Sequence, residues 1–125
     1  MASQRVHFNT QISNPDFPTV FDVDPKEVWE KKSEVVIVDV RRPDEFEGEL
    51  GHIPGAQLVV LNTLPGRLPE LPMNKTIVFA CRSGGRSSQA TAFAQENGFE
   101  NVYNMKGGML LWNQLGLECE GRSKT

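Results

Sequence analysis

Cysteine is scarce in the 125 residues: Cys81 and Cys119 are the only two. Two are too few for a disulfide framework and, lacking spaced partners, make a zinc site unexpected. Histidine is as rare, with His7 and His52 alone. No apolar run approaches the ~20 residues that a membrane-spanning helix needs. The opening stretch MASQRVHFNTQISN carries no apolar segment of the kind that marks a secretory signal. Positive charge is not in excess either: the net charge is −3, so nucleic-acid binding has no global support. No repeat and no low-complexity linker interrupts the chain. The expectation is a cytoplasmic protein in a reducing compartment, with thiols able to react and no cofactor, metal, nucleic acid or membrane among its partners.

What is present fits one folded domain over residues 1–125. That length buries a core without cross-links, and a composition of 38% hydrophobic and 23% charged residues argues against disorder. Residues 1–18 are polar, carry Pro15 and Pro18, and read as an extended arm with a short strand near Val6–Phe8. DPKEVWEKK opens a helix, with Asp24 as N-cap, Pro25 at the first position and Glu27 completing a capping box; Val28 and Trp29 face inward. VVIVDV (35–40) and TIVFA (76–80) are continuous apolar runs that suit strands buried on both faces. QLVVL (57–61) and NVYNM (101–105) are further strands. A helical turn is expected at Pro43–Phe46, and one more within the proline-rich connection TLPGRLPELP. A helix runs from about Arg86 to Asn97, closed by Gly98, with Ala90, Phe93 and Ala94 as its apolar stripe. GGMLLWNQLG is the last helix, with Met109, Leu110, Leu111, Trp112 and Leu115 in the core, and LECEGRSKT is a tail. Strands alternating with helices imply an α/β fold with a parallel sheet covered on both faces. Ligands in such folds sit at the carboxyl ends of strands, and Cys81 directly follows one.

The segment VFACRSGGRSSQA carries the chemistry. Gly84 and Gly85 can take left-handed backbone angles, which lets successive N–H groups converge on one anion-binding hollow. The helix that follows directs its positive end to the same place. Arg82 and Arg86 add two planar cations, and no acid occurs from Lys75 to Gln95. Such a field favours a thiolate over a thiol and attracts an anionic substrate. The competing reading, a small buried hydrophobe, is weakened by the flanking arginines and glycines, which suit a packed core poorly. A nucleotide-phosphate loop would need Lys-Ser/Thr after its second glycine, and none is there.

CRSGGRS, with DVRRPDEF and GHIPGA upstream and GGMLLW downstream, resembles the rhodanese homology domain in its single-domain, thiosulfate sulfurtransferase-like form. The four segments occur in the family's order and cover roughly residues 20–117, which would be the domain core between the arm and the tail. The resemblance implies a rhodanese-like α/β fold with a central parallel sheet of about five strands. It implies a thiosulfate:cyanide sulfurtransferase, a transferase in which catalytic Cys81 takes the outer sulfur of thiosulfate, or of a persulfide or polysulfide. Cys81 becomes a persulfide and hands that sulfur to cyanide or a thiol. Arg82, Ser83, Gly84, Gly85, Arg86 and Ser87 would bind the substrate, and Arg82 is similar to the thiosulfate-using branch rather than the mercaptopyruvate-using one. The partners would be a small anionic sulfur donor, a thiophilic acceptor and, as an alternative, a protein that exchanges persulfide sulfur. The alternative to an enzyme is a non-turnover persulfide carrier or docking module. The related cell-cycle phosphatases carry a seven-residue loop with arginine six positions after the cysteine. Here Ser87 holds that position and the loop, Cys81 through Arg86, is shorter.

The remaining segments have plainer readings. Asp39 and Arg41 end a buried strand near the loop; either they clamp it from behind, or they form an ion-pair network with Glu45 that fixes residues 41–56. His52 sits among Gly51, Pro54 and Gly55, which reads as turn punctuation rather than a Cys–His pair. Cys119 is expected to be exposed and inert, with Glu118 and Glu120 beside it; a resolving thiol for a Cys81 persulfide is the alternative. EFEGELGHI is longer than the minimal family spacing, and with TLPGRLPELP it would shape the mouth of the site.

Overall fold

A computed structural model describes residues 6–121. Its elements run β1 (Ile12–Ser13), β2 (Phe21–Val23), α1 (Pro25–Glu30), β3 (Val36–Asp39), α2 (Pro43–Phe46), β4 (Gln57–Leu58), α3 (Leu64–Arg67), β5 (Ile77–Ala80), α4 (Gly85–Glu96), β6 (Val102–Met105) and α5 (Gly108–Gln114), with 3₁₀ turns at 32–34, 61–63 and 68–70. Six strands form one sheet in the order β1-β2-β6-β5-β3-β4. All neighbours are parallel except the edge pair of β1 and β2. The sheet has six strands against an expectation of about five; β2 (Phe21–Val23) is the strand not expected from the sequence, and β1 pairs with it antiparallel.

Side chains alternate across a strand, and β5 shows the consequence. Ile77 and Phe79 join Ala90 and Ala94 of α4 and Leu64 of α3 in one core. Val78 and Ala80 point the other way, into a second core with Val28 of α1 and Met109 and Trp112 of α5. Helices therefore cover both faces. Every residue of β5 is buried, which is why its sequence is a continuous apolar run rather than an alternating one. The alanines of α4 let that helix lie close to the sheet.

Several expectations change on the structure. The strand of the N-terminal arm lies at Ile12–Ser13, not near Val6–Phe8. Phe8 is instead a core anchor with no exposed surface, set edge-on against Tyr103 at 5.0 Å. Asp24 does stand at the N-cap of α1 but makes no side-chain cap bond, and Glu27 completes no capping box. The Glu27 carboxylate instead accepts the N–H groups of Asn9 (2.8 Å) and Thr10 (2.9 Å) and the Thr10 hydroxyl (2.6 Å). Those arm amides have no strand partner, so a carboxylate there satisfies more than a cap would. The strand expected at 57–61 is only Gln57–Leu58, because the chain turns into 3₁₀ geometry at Leu61. Leu110 and Leu115 are 36% and 50% exposed, whereas Met109 and Trp112 of the same helix are fully buried; so short a helix covers the sheet with one side only. The tail also packs. Trp112 Nε1–H donates to the Glu118 carbonyl at 2.9 Å, and the backbones of His52 and Glu120 exchange two bonds of 2.9 Å. Residues 1–5 of the arm and 122–125 of the tail lie outside the described residues.

Candidate active site

Cys81 ends β5 at the carboxyl edge of the sheet, and only 1% of it is exposed. Two groups reach its sulfur: the Gly84 N–H donates at 3.1 Å, and the Ser87 hydroxyl oxygen lies at 3.2 Å. The backbone must bend sharply to bring an amide three residues on back over the sulfur. Gly84 does this with φ of 109°, a left-handed angle that costs glycine little. Helix α4 starts at the next residue.

The carbonyls of the loop are held away from the sulfur. Met109 N–H donates to the Cys81 carbonyl at 2.8 Å and Leu110 N–H to the Arg82 carbonyl at 3.0 Å, so the unpaired first-turn amides of α5 are used on the loop. Closeness is essential to this contact. A Cβ at Gly108 would lie 2.5 Å from the Cys81 carbonyl oxygen and nearer still to that of Arg82. With the Cys81 and Arg82 carbonyls drawn towards α5, the loop presents the Gly84 amide to the cysteine. GGMLLW is thus part of the site as well as of the core.

The charges are distributed less simply than the residues from Lys75 to Gln95 suggest. Arg86 is gripped by Glu45 of α2, at 2.7 and 2.9 Å through its two terminal nitrogens. That contact holds the Glu45 carboxyl down at about 2, and raises Arg86 in turn, against the opposing effect of burial. Arg82, directly after the cysteine, is exposed and makes no salt bridge among the described residues. It borders a hollow of about 180 Å³ shared with Arg41, Asp44, Glu45, Glu49 and Leu50. Ser83, Gly84 and Gly85 line a second hollow, of about 150 Å³, behind the loop.

Asp39 and Arg41 form a buried bidentate pair. Arg41 Nη2 lies 2.7 Å from Asp39 Oδ2 and also donates to the Gly51 carbonyl at 2.7 Å, while Nη1 reaches the Glu45 carbonyl at 3.2 Å. The guanidinium thus pins both ends of the 45–51 segment, although the side chain of Glu45 goes to Arg86 and not to Arg41. His52 stacks on Phe46 with centroids 3.7 Å apart, and its Nδ1 is 2.9 Å from the Phe46 carbonyl. It serves the turn. Cys119 is half-buried rather than exposed, near Asn113 Oδ1 at 3.8 Å. Among the described residues no group of His, Cys, Asp and Glu is arranged to hold a metal, and no helix is long and apolar enough to cross a membrane.

Residue reasoning missed the floor of the site. Ser87 is fully buried, and its oxygen lies 2.5 Å from Asn104 Oδ1. Asn104 Nδ2 donates to Asp22 Oδ1 at 2.9 Å, and Asn14 Nδ2 donates to the same oxygen at 2.8 Å. Polar residues inside two short strands, Asp22 in FDV and Asn104 in VYNM, were the available signal: a buried strand does not carry such groups unless they are paired.

The comparisons agree with this geometry. A model of the rhodanese-like domain matches residues 16–115. A sulfurtransferase of Allochromatium vinosum is 38% identical over 84 residues, covering 67% of this chain and 77% of that one. A thiosulfate sulfurtransferase, GlpE, of Pseudoalteromonas translucida is 35% identical over 81 residues, covering 65% and 75%. The crystal structure of a rhodanese-like domain protein from Staphylococcus aureus superposes with a TM-score of 0.68 at 32% identity, over 79% of this chain and 97% of that one. A parallel sheet delivering a cysteine into a glycine-rich loop, and a family model spanning most of the residues that build it, lead to one conclusion: this chain, like two relatives that are named sulfurtransferases, belongs to the rhodanese-like domain family.

Proposed function

We propose that the protein transfers sulfane sulfur through a persulfide on Cys81, with thiosulfate as donor and cyanide or a thiol as acceptor. The observation that carries this reading is the Gly84 amide donating to the Cys81 sulfur, with the Ser87 hydroxyl within reach of it, in a loop whose Cys81 and Arg82 carbonyls are turned to α5. Hydrogen-bond donors aimed at a sulfur stabilise its anion. In the first step the Cys81 thiolate attacks the outer sulfur of thiosulfate. The donor's S–S bond breaks and sulfite leaves with the electron pair. In the second step cyanide attacks the outer sulfur of the persulfide, thiocyanate departs, and the electron pair returns to Cys81 as thiolate. Arg82, exposed beside the cysteine, draws the donor anion in, and Ser83, Gly84 and Gly85 supply the backbone around it. Arg86 is engaged by Glu45 and acts on the bound anion by its remaining field. The six-residue loop suits a sulfur atom better than a phosphate ester.

The acids around Arg82 favour a second reading. Asp44, Glu45 and Glu49 line the same hollow and offset its attraction for a small dianion. That favours a thiol-borne or protein-borne persulfide as the natural donor, with the protein as carrier. One experiment separates the readings. The purified protein is mixed with thiosulfate and its intact mass recorded before and after cyanide. A gain of one sulfur, lost again as thiocyanate forms, is the expected result. Absence of any gain from thiosulfate, with loading by a low-molecular-weight persulfide, would replace the enzyme by the carrier. A gain that survives Cys81→Ser would remove Cys81 from the chemistry. Arg82→Ala is expected to slow loading by thiosulfate about 10-fold or more, as loss of a charged contact does, while the melting temperature stays where it was.

A further inference from the structure

The hydrogen bonds beneath Cys81 can be counted proton by proton. Asn14 Oδ1 accepts the N–H groups of Asp16 (2.8 Å) and Phe17 (3.0 Å), which fixes its amide. Its Nδ2 therefore donates, to Asp22 Oδ1 at 2.8 Å and to Ser88 Oγ at 2.9 Å. The single Ser88 hydroxyl hydrogen goes to the Gly84 carbonyl, 2.5 Å away. On the other side an ionised Asp22 only accepts, so Asn104 must turn Nδ2 towards it, at 2.9 Å. That leaves Asn104 Oδ1 facing Ser87, and it too only accepts. Ser87 has one hydroxyl hydrogen and two acceptors for it, Asn104 Oδ1 at 2.5 Å and Cys81 Sγ at 3.2 Å. When Cys81 is a thiol the account closes: S–H donates to Ser87 and Ser87 to Asn104. When Cys81 is a thiolate, the hydroxyl must leave Asn104, which is 2% exposed.

We propose that Asp22 is a positioning residue that, by fixing the orientation of Asn104, directs the Ser87 hydroxyl away from the Cys81 sulfur and so sets how readily that thiol ionises. Asp22 touches no reacting atom. It acts through two buried arms of the same network: Asn104–Ser87, which reaches the sulfur, and Asn14–Ser88, which reaches the carbonyl of Gly84, the residue whose N–H donates to that sulfur. This rests on Cys81 being the nucleophile, and it adds to that reading a group on the far side of the loop that holds the nucleophile in reserve.

The test is the pH dependence of Cys81 alkylation by iodoacetamide, read by mass on the Cys81 peptide. Other charges around the thiol stay constant across the variants: Arg82 in the loop, Arg86 of α4, Glu45 of α2 and the Asp39–Arg41 pair beyond it, and Asp16, which shares the rear hollow with Asp22. Asp22→Asn keeps an amide oxygen where Asn14 and Asn104 both donate, so Asn104 keeps its orientation and the alkylation midpoint is expected to stay. Asp22→Ala removes that acceptor and frees Asn104 to turn an N–H to Ser87; the Ser87 hydrogen becomes available to sulfur, and the midpoint is expected to fall by about 0.5–1 pH unit. Asn104→Ala, which removes no charge, is expected to lower it as well, since Ser87 loses its other acceptor. In a Ser87→Ala background both shifts should vanish. A fall in Asp22→Asn equal to that in Asp22→Ala, or a shift from Asp22→Ala that persists in full without Ser87, would mean that Asp22 acts by charge through space, and the proposal would fall. It would fall equally if Asn104→Ala left the midpoint unmoved or raised. Should Asp22→Ala not fold, as judged by circular dichroism, the Asn104→Ala pair with and without Ser87 decides alone. Alkylation needs no sulfur transfer, so failure of the thiosulfate reading and failure of this one are seen separately.

Discussion

Single residues decide whether the loop can form at all, and Gly108 is the most exacting of them. It has φ of +59° and no room for a Cβ against the Cys81 and Arg82 carbonyls. Gly108→Ala is expected to destabilise the fold by about 1–3 kcal/mol and to slow sulfur loading, since relief requires α5 to retreat from the loop it caps. Urea denaturation and the mass assay check both. Glu45 is the second such residue. Its pairing with Arg86 lowers its ionisation from the ordinary 4.5 to about 2. A depressed carboxylate contributes stability that is complete above 4.5 and is lost as pH falls towards 2. The contribution is expected to be no more than about 1 kcal/mol for a pair in partial contact with solvent. Glu45→Gln should remove that part of the acid dependence, seen as a flatter fall of melting temperature between pH 4.5 and 2, without altering stability at neutral pH by more than the same amount. The loop itself was legible in CRSGGRS because glycine and arginine in that order have few structural uses. Asp22 and Asn104 were not, since neither shows from its neighbours that a strand partner brings it under the cysteine.

Among the elements, the arm of residues 6–18 and helix α1 form one unit through Glu27. Burial pushes the Glu27 carboxyl up, but hydrogen bonds from Lys31, from the Thr10 hydroxyl and from the Asn9 and Thr10 amides outweigh it and bring it to about 2. The sign is that of Glu45: the bond holds above 4.5 and weakens as pH falls towards 2. Glu27→Ala is expected to cost about 1–3 kcal/mol, because two arm amides lose their acceptor. Hydrogen exchange should speed up at Asn9 and Thr10 while the amides of β5 keep their protection. Short-range reasoning placed β3, β5 and β6 from their apolar runs and α2 from Pro43, since those signals are local. It misread Glu27 because a capping box and a long-range clamp use the same residue at the same position, and sequence distance alone cannot rank them. It also overextended β4, where the strand ends once the Thr63 hydroxyl bonds back to the Val60 carbonyl at 2.7 Å.

The whole molecule is two cores sharing one sheet, so neither face can melt without the other. Phe79 lies in the core beneath α4, whereas Trp112 lies in the core on the opposite face. Phe79→Ala is expected to cost about 3–5 kcal/mol, a large part of the 5–15 kcal/mol typical of a domain. Tryptophan fluorescence and far-ultraviolet circular dichroism should nonetheless report the same shifted urea midpoint. Two separate midpoints would show that the faces unfold independently. The α/β architecture was legible in the alternation of apolar runs and helical stripes. The pair β1 and β2 was not: β2 is three residues long with Asp22 at its centre, and Ile12–Ser13 is two residues long, exposed, and defined only by its pairing to Phe21 and Asp22, so the arm strand was misplaced.

The two hydrogen bonds from Met109 and Leu110 to the Cys81 loop also impose an order in time. A ribosome makes the cysteine before it makes those amides, so the nascent chain carries an uncradled thiol until α5 has emerged and packed. The shape of the Cys81 loop therefore belongs to the folded domain and not to the peptide that bears it.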